Sequence, residues 1–139
     1  MERLAIYLAL HGAIVLTISL VAGLLLHKAI RLGRPVAAWH LAHAGVSSRG
    51  VMLMALAAIT SRIALQPAQL SAFVWLILAF VWTSTAAMVI AAATGERGVT
   101  WAGSAVNRVV FALYVISAVT VFPAALLMIV GLVIRLQAP

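Results

Sequence analysis

Four histidines and one arginine set deep in an apolar run are the residues whose types and spacing bear on chemistry. His40 and His43 stand three apart, so on a helix both imidazoles occupy one face, where a neutral ring nitrogen can ligate a metal ion. His27 closes the preceding apolar run on the same side of a membrane, at a similar depth, and with His40 is a weaker alternative ligand. Both suit an interfacial role better than ligation, with the ring tip reaching water. His11 lies roughly 24 Å from His27 along a helix at 1.5 Å per residue, too far to share a small site with His43. The segment Trp39-His40-Leu41-Ala42-His43-Ala44-Gly45 singles out His43, because Gly45 removes a side chain and admits a flat cofactor or a partner helix. Arg49 is a cation inside a span, where insertion costs a few kcal/mol and a partner or a wet cavity is required. It sits about 120° around the helix from His43, so within one subunit the two face different ways. Backbone carbonyls with Ser47 or Ser48 are its plainest partners. The chain has no cysteine, which excludes disulfides, thiolate ligands and thiol nucleophiles.

The elements that must position these groups follow from composition. The chain has 139 residues, 66% of them hydrophobic and 8% charged, with a mean hydropathy of +1.23. A soluble domain is roughly 45–50% apolar and about 25% charged, so a soluble globule is excluded, as is a disordered segment. A bilayer core of about 30 Å takes roughly 20 apolar residues per helix, which makes four spans the ceiling. The reading is an all-α integral membrane protein: one domain over residues 1–139, a bundle of four transmembrane helices at about 4–27, 37–60, 70–93 and 107–134.

The breaks between runs carry their own signals. Lys28–Ala38 reads as a linker with Gly33 and with Pro35 near the start of the second helix, and Gln66-Pro67-Ala68-Gln69 as the next turn. Thr94–Gly98 is the most polar segment, and Trp101–Ser104 suits the interface. Pro123 falls inside the fourth helix and frees the carbonyl of Val119, which neighbouring protein is expected to shelter. Ser19 with Gly23, and Thr83, Ala87 and Ala91, recur every four residues as helix-packing faces. The net charge of +7 is a topology signal, because the cations flank the apolar runs; nucleic acid is not an expected partner. Lys28, Arg31, Arg34, Arg97 and Arg108 against Arg3, Arg62 and Arg135 favour both termini outside.

The run Trp39–Met54, WHLAHAGVSSRGVMLM, resembles the second-helix segment of the bacterial styrene oxide isomerases, W-x-x-x-H-x-G followed by N-G-M-M. His11-Gly12 is similar to a His-Gly of their first helix, Trp82 to a tryptophan of the third, and Glu96-Arg97-Gly98-Val99-Thr100-Trp101 to an x-R-G-L-T-F segment before the fourth. The pieces occur in family order along nearly the whole chain, with a shorter first linker. The resemblance implies a multi-pass protein of the bacterial inner membrane, a homotrimer with haem b between subunits, and His43 as the axial iron ligand, with Gly45 and Arg49 beside the cofactor. It also implies Lewis-acid isomerisation of a small apolar epoxide to an aldehyde: the C–O bond opens toward a carbocation and a hydride shifts. The family's pocket Asn, Asp and Tyr match Arg49, Phe80 and Met88, and none is retained. Haem binding is therefore better supported than isomerisation. A haem redox or sensor protein with a closed coordination sphere, and a cofactor-free accessory membrane subunit, are the alternatives.

Overall fold

The computed structural model describes residues 2–138. It contains four long helices, α1 (Glu2–Arg31), α2 (Ala37–Ile59), α3 (Pro67–Thr94) and α4 (Ala105–Gln137), with a single 3-10 turn at Thr60–Arg62. Each helix is long and apolar enough to cross a membrane. There is no strand among the described residues.

Local chemistry sets the helix ends, and it moves three expected boundaries. The segment from Lys28 to Arg31 is the last turn of α1 rather than linker, where its cations complement the negative end of the helix dipole. The chain then turns at Gly33, whose φ of 61° needs no Cβ penalty to be overcome. Pro67, expected in a turn, is instead the first residue of α3, where a missing N–H costs nothing. Gln66 and Gln69 form a reciprocal capping box before it, with the Gln66 N–H donating to Gln69 Oε1 at 3.1 Å. At the far end Gly95 takes the left-handed conformation and its N–H closes on the Ala91 carbonyl. The fourth helix starts earlier than expected because Ser104 caps it, accepting from the Asn107 N–H at 3.0 Å.

Helices α1 and α2 form one antiparallel pair and α3 and α4 another, with α2 and α3 joining the pairs. The core lies around α3, whose Phe73, Val74, Ile77, Leu78 and Val81 pack with Leu8 and Val15 of α1 and Val46 and Leu53 of α2. From α4, Ala124 is buried in that cluster and Leu127, Met128 and Leu132 pack against it. The Pro123 side of α4 faces outward: Val119 is 66% and Phe122 74% exposed, so this chain does not itself provide the shelter expected there.

The closest packing is between α1 and α2. A Cβ on Gly12 would meet Met54 Cγ at 2.8 Å and the Gly50 carbonyl at 3.0 Å. A Cβ on Gly50 would in turn meet Leu16 Cγ at 2.6 Å and the Gly12 carbonyl at 3.0 Å. Two facing glycines bring the backbones together, as membrane helices do in place of a hydrophobic drive. Ser19 and Gly23 continue that face, as expected from their spacing.

Gly50→Val is expected to cost about 1–3 kcal/mol by overpacking this contact. Gly33→Val, with nothing within 4 Å of its Cβ, meets only backbone strain of about 1–2 kcal/mol. Thermal denaturation in detergent should show the larger loss at Gly50, together with loosened α1–α2 packing in hydrogen exchange.

Candidate functional site

His43 lies on the α1-facing side of α2, half-buried. Its Nδ1 is 2.9 Å from the backbone carbonyl oxygen of Ser19 and 3.2 Å from Ser19 Oγ. A carbonyl can only accept, so Nδ1 bears the proton and Nε2 presents its lone pair. Ser19 Oγ donates to the His43 carbonyl at 3.0 Å and also pairs with Ser47 Oγ. Gly23 makes this fit possible, because a Cβ there would come within 3.1 Å of His43 Cε1 and Nδ1. The ring is thus held on α1 by a backbone acceptor, the arrangement that commonly fixes tautomer and orientation in a metal-ligating histidine. Nε2 takes part in no hydrogen bond among the described residues.

The other histidines stand apart in their surroundings. His40 and His27 are exposed at the loop end of the bundle. His11 accepts from Trp82 Nε1 at 3.1 Å, stacks on Tyr7 at 6.3 Å and meets the Trp82 ring edge-on at 5.8 Å, which ties α1 to α3. Among the described residues no three His, Asp or Glu are grouped so as to hold a metal ion. A haem iron needs no such group, since one imidazole nitrogen is a sufficient protein ligand, and the His43 donor fits that requirement.

Arg49 faces α3, away from the His43 contact, as its spacing requires. Its Nε donates to Ser84 Oγ at 2.6 Å and its Nη1 to the Gly45 carbonyl at 2.8 Å, with Met88 Sδ at 3.5 Å. Its guanidinium carbon stands 5.4 Å from the centre of the Phe80 ring, a cation–π contact. The expected serine partners are engaged elsewhere: Ser47 with Ser19, and Ser48 with the Ala44 carbonyl. The space beside Gly45 is likewise filled from within, because a Cβ there would meet Met88 Sδ at 2.7 Å and Arg49 Nη1 at 3.1 Å. Arg49, Phe80 and Met88 therefore form one contiguous cluster between α2 and α3.

A cleft of about 520 Å³ opens between α2, α3 and α4 at the end bearing the 32–36 and 95–104 segments. Leu41, Ala42, Met88 and Ala91 supply apolar wall, Tyr114 enters from α4, and Arg97 stands among the lining residues. Of the same stripe as Ala91, Ala87 is fully buried, and Thr83 Oγ1 donates to the Ala79 carbonyl within its own helix. Tyr114 is a site residue that sequence reasoning missed. Its only signal was a hydroxyl inside an apolar run, which in a membrane calls for an explanation.

Asn107 was missed as well. Its Oδ1 accepts from the Gly98 N–H at 2.8 Å, and its Nδ2 donates to the carbonyls of Thr100 and Ala102 at 2.8 and 2.7 Å. Ser104 Oγ donates to Glu96 Oε1 at 2.5 Å. One side chain thus holds the Arg97–Gly98–Thr100 segment against the start of α4.

The family model for styrene oxide isomerase matches residues 4–133. The chain belongs to the styrene oxide isomerase family. The match runs from α1 into α4, so it takes in the His43 contact, the Arg49 cluster and the cleft of this family member alike. No curated protein matches the chain.

Asn107→Ala should leave three backbone groups of the 98–102 loop without their partner, at about 1–3 kcal/mol in all. Hydrogen exchange at residues 98–102 is expected to speed up while the helix interiors stay protected; unchanged loop exchange would contradict the clamp.

Proposed function

We propose that this member of the styrene oxide isomerase family is a haem b-binding protein of the bacterial inner membrane, with His43 as the axial iron ligand. The observation that carries the reading is the His43 contact: Nδ1–H given to the Ser19 carbonyl at 2.9 Å, with Nε2 left for a ligand. The homotrimer with haem between subunits is part of the same reading, carried over from the family. The reaction it supports is isomerisation of a small apolar epoxide to a carbonyl compound.

Ferric haem, when bound, supplies a Lewis acid for an epoxide oxygen and needs no change of oxidation state. The chain's own residues have separate tasks. His43 holds its proton at Nδ1, and the Ser19 carbonyl keeps that ring from turning. The walls of the cleft at Leu41, Ala42 and Ala91 are apolar and suit the hydrocarbon part of a substrate.

Arg49, Phe80 and Met88 distinguish this chain from the family pattern. A phenyl ring and a thioether offer no strong donor to an epoxide oxygen, and a guanidinium disfavours a developing carbocation nearby. Among the described residues the same Arg49 has neutral partners, Ser84, the Gly45 carbonyl, Met88 and Phe80. The substrate therefore differs from a simple aryl epoxide.

His43→Ala is expected to purify as an inserted four-helix protein without a Soret band. Ser19→Ala should retain haem, because the acceptor for Nδ1 is the backbone carbonyl and survives the change. Full haem retention in His43→Ala would refute the ligand assignment.

With styrene oxide, phenylacetaldehyde formation by the haem-loaded protein should fall roughly a hundred-fold below that of an authentic styrene oxide isomerase, the usual scale for losing one oriented donor. Equal turnover would mean that the three departures do not govern specificity.

A further inference from the structure

Arg49 is a membrane-embedded cation without a counter-charge among the described residues. The chain has two carboxylate side chains, Glu2 and Glu96, and neither lies inside a span: Glu2 opens α1 and Glu96 sits in the loop after α3. The guanidinium has five N–H groups, of which Nε and Nη1 are engaged while Nη2 meets no acceptor among the described residues. An embedded cation held by neutral groups keeps its attraction for an anion, and low surrounding polarity strengthens that attraction.

The cleft is where an anion can approach. Met88, which forms part of its wall, touches Arg49 Nη1 through Sδ, and a thioether on three rotatable bonds moves aside readily. Tyr114 lines the same cleft from α4 together with Met88, and its hydroxyl has no hydrogen-bond partner among the described residues. Glu96 and Arg97 both stand in the lining and offset each other, so the cation left uncompensated beside the cleft is Arg49. The apolar body of a small molecule fits the Leu41, Ala42 and Ala91 walls, and its charged end meets a donor hydroxyl and a guanidinium.

We infer that this cleft binds small apolar carboxylic acids, with the carboxylate taken by Arg49 after Met88 moves and by the Tyr114 hydroxyl. For turnover this rests on the isomerase reading, since it makes the substrate a carboxylate-bearing epoxide. Binding does not depend on that reading and is measured on protein purified with or without haem. A protein that lacks haem yet binds the acid overturns the haem reading alone, and one that holds haem yet ignores the acid overturns this inference alone.

The probes are 3-phenylpropanoate and its neutral counterpart 3-phenylpropanamide, titrated calorimetrically into the protein in phosphatidylcholine nanodiscs, with empty nanodiscs as the blank. The acid is expected to bind at least about ten-fold more tightly than the amide, the scale of a hydrogen bond to a charged group. Arg49→Gln should abolish that preference. Tyr114→Phe, which keeps the ring and its packing, should weaken the acid several-fold and leave the amide unchanged. Equal binding of acid and amide by the unaltered protein overturns the inference without recourse to a variant. So does undiminished acid binding in a folded Tyr114→Phe or Arg49→Gln protein. A phospholipid headgroup offers similar anionic oxygens, so a second titration replaces part of the lipid with phosphatidylglycerol. Unchanged affinity there, after correction for the surface charge of empty discs, assigns the site to small acids; loss of binding assigns it to lipid and overturns the small-acid inference.

Discussion

The close approach of α1 and α2 is the constraint on which the rest depends. Gly12 and Gly50 face each other with no room for a Cβ on either, and Ser19 and Gly23 extend the seam. Only at that separation does the Ser19 backbone carbonyl come within 2.9 Å of His43 Nδ1. A helical carbonyl is normally committed to its own ladder, but its second lone pair remains available to a neighbour that comes near enough. The packing of small residues and the orientation of the histidine are therefore one feature.

The same seam explains how the polar groups are divided. With α1 covering the His43 face of α2, the Arg49 face is left to α3, where Ser84, Phe80 and Met88 receive it. Around the helix the two faces lie about 120° apart, so α2 carries both groups without bringing them into contact. His11 and Trp82 then tie α1 to α3 at another level. Two of the family-like motif pieces, the first-helix His-Gly and the third-helix tryptophan, thus meet in a packing contact. The loop motif Arg97–Thr100 has a structural reason of its own, since Asn107 gathers its backbone at the mouth of the cleft.

Composition and hydropathy alone pointed to four membrane-crossing helices, because apolar runs of about 20 residues satisfy their own backbone in lipid as helices, whereas barrel strands are shorter and alternate. His43 was legible from the motif around it, and Ser19 with Gly23 from their four-residue spacing. Helix ends were legible only approximately. The extension of α1 through Lys28–Arg31 and the start of α3 at Pro67 depend on dipole complementarity and capping, which a hydropathy pattern does not register.

What only the tertiary structure decided is which side chains on different helices meet. Gly45 reads in sequence as room for a cofactor, but the space goes to Met88 of α3. Arg49 reads as a partner for backbone carbonyls and nearby serines; the Gly45 carbonyl accepts as expected, but the serine is Ser84 on α3. Tyr114 and Asn107 carried almost no signal, because a single tyrosine or asparagine in an apolar run has no periodicity to reveal it. Sequence patterns fix the face a residue occupies on its own helix; the crossing of helices, set here by facing glycines, chooses the neighbour it finds there.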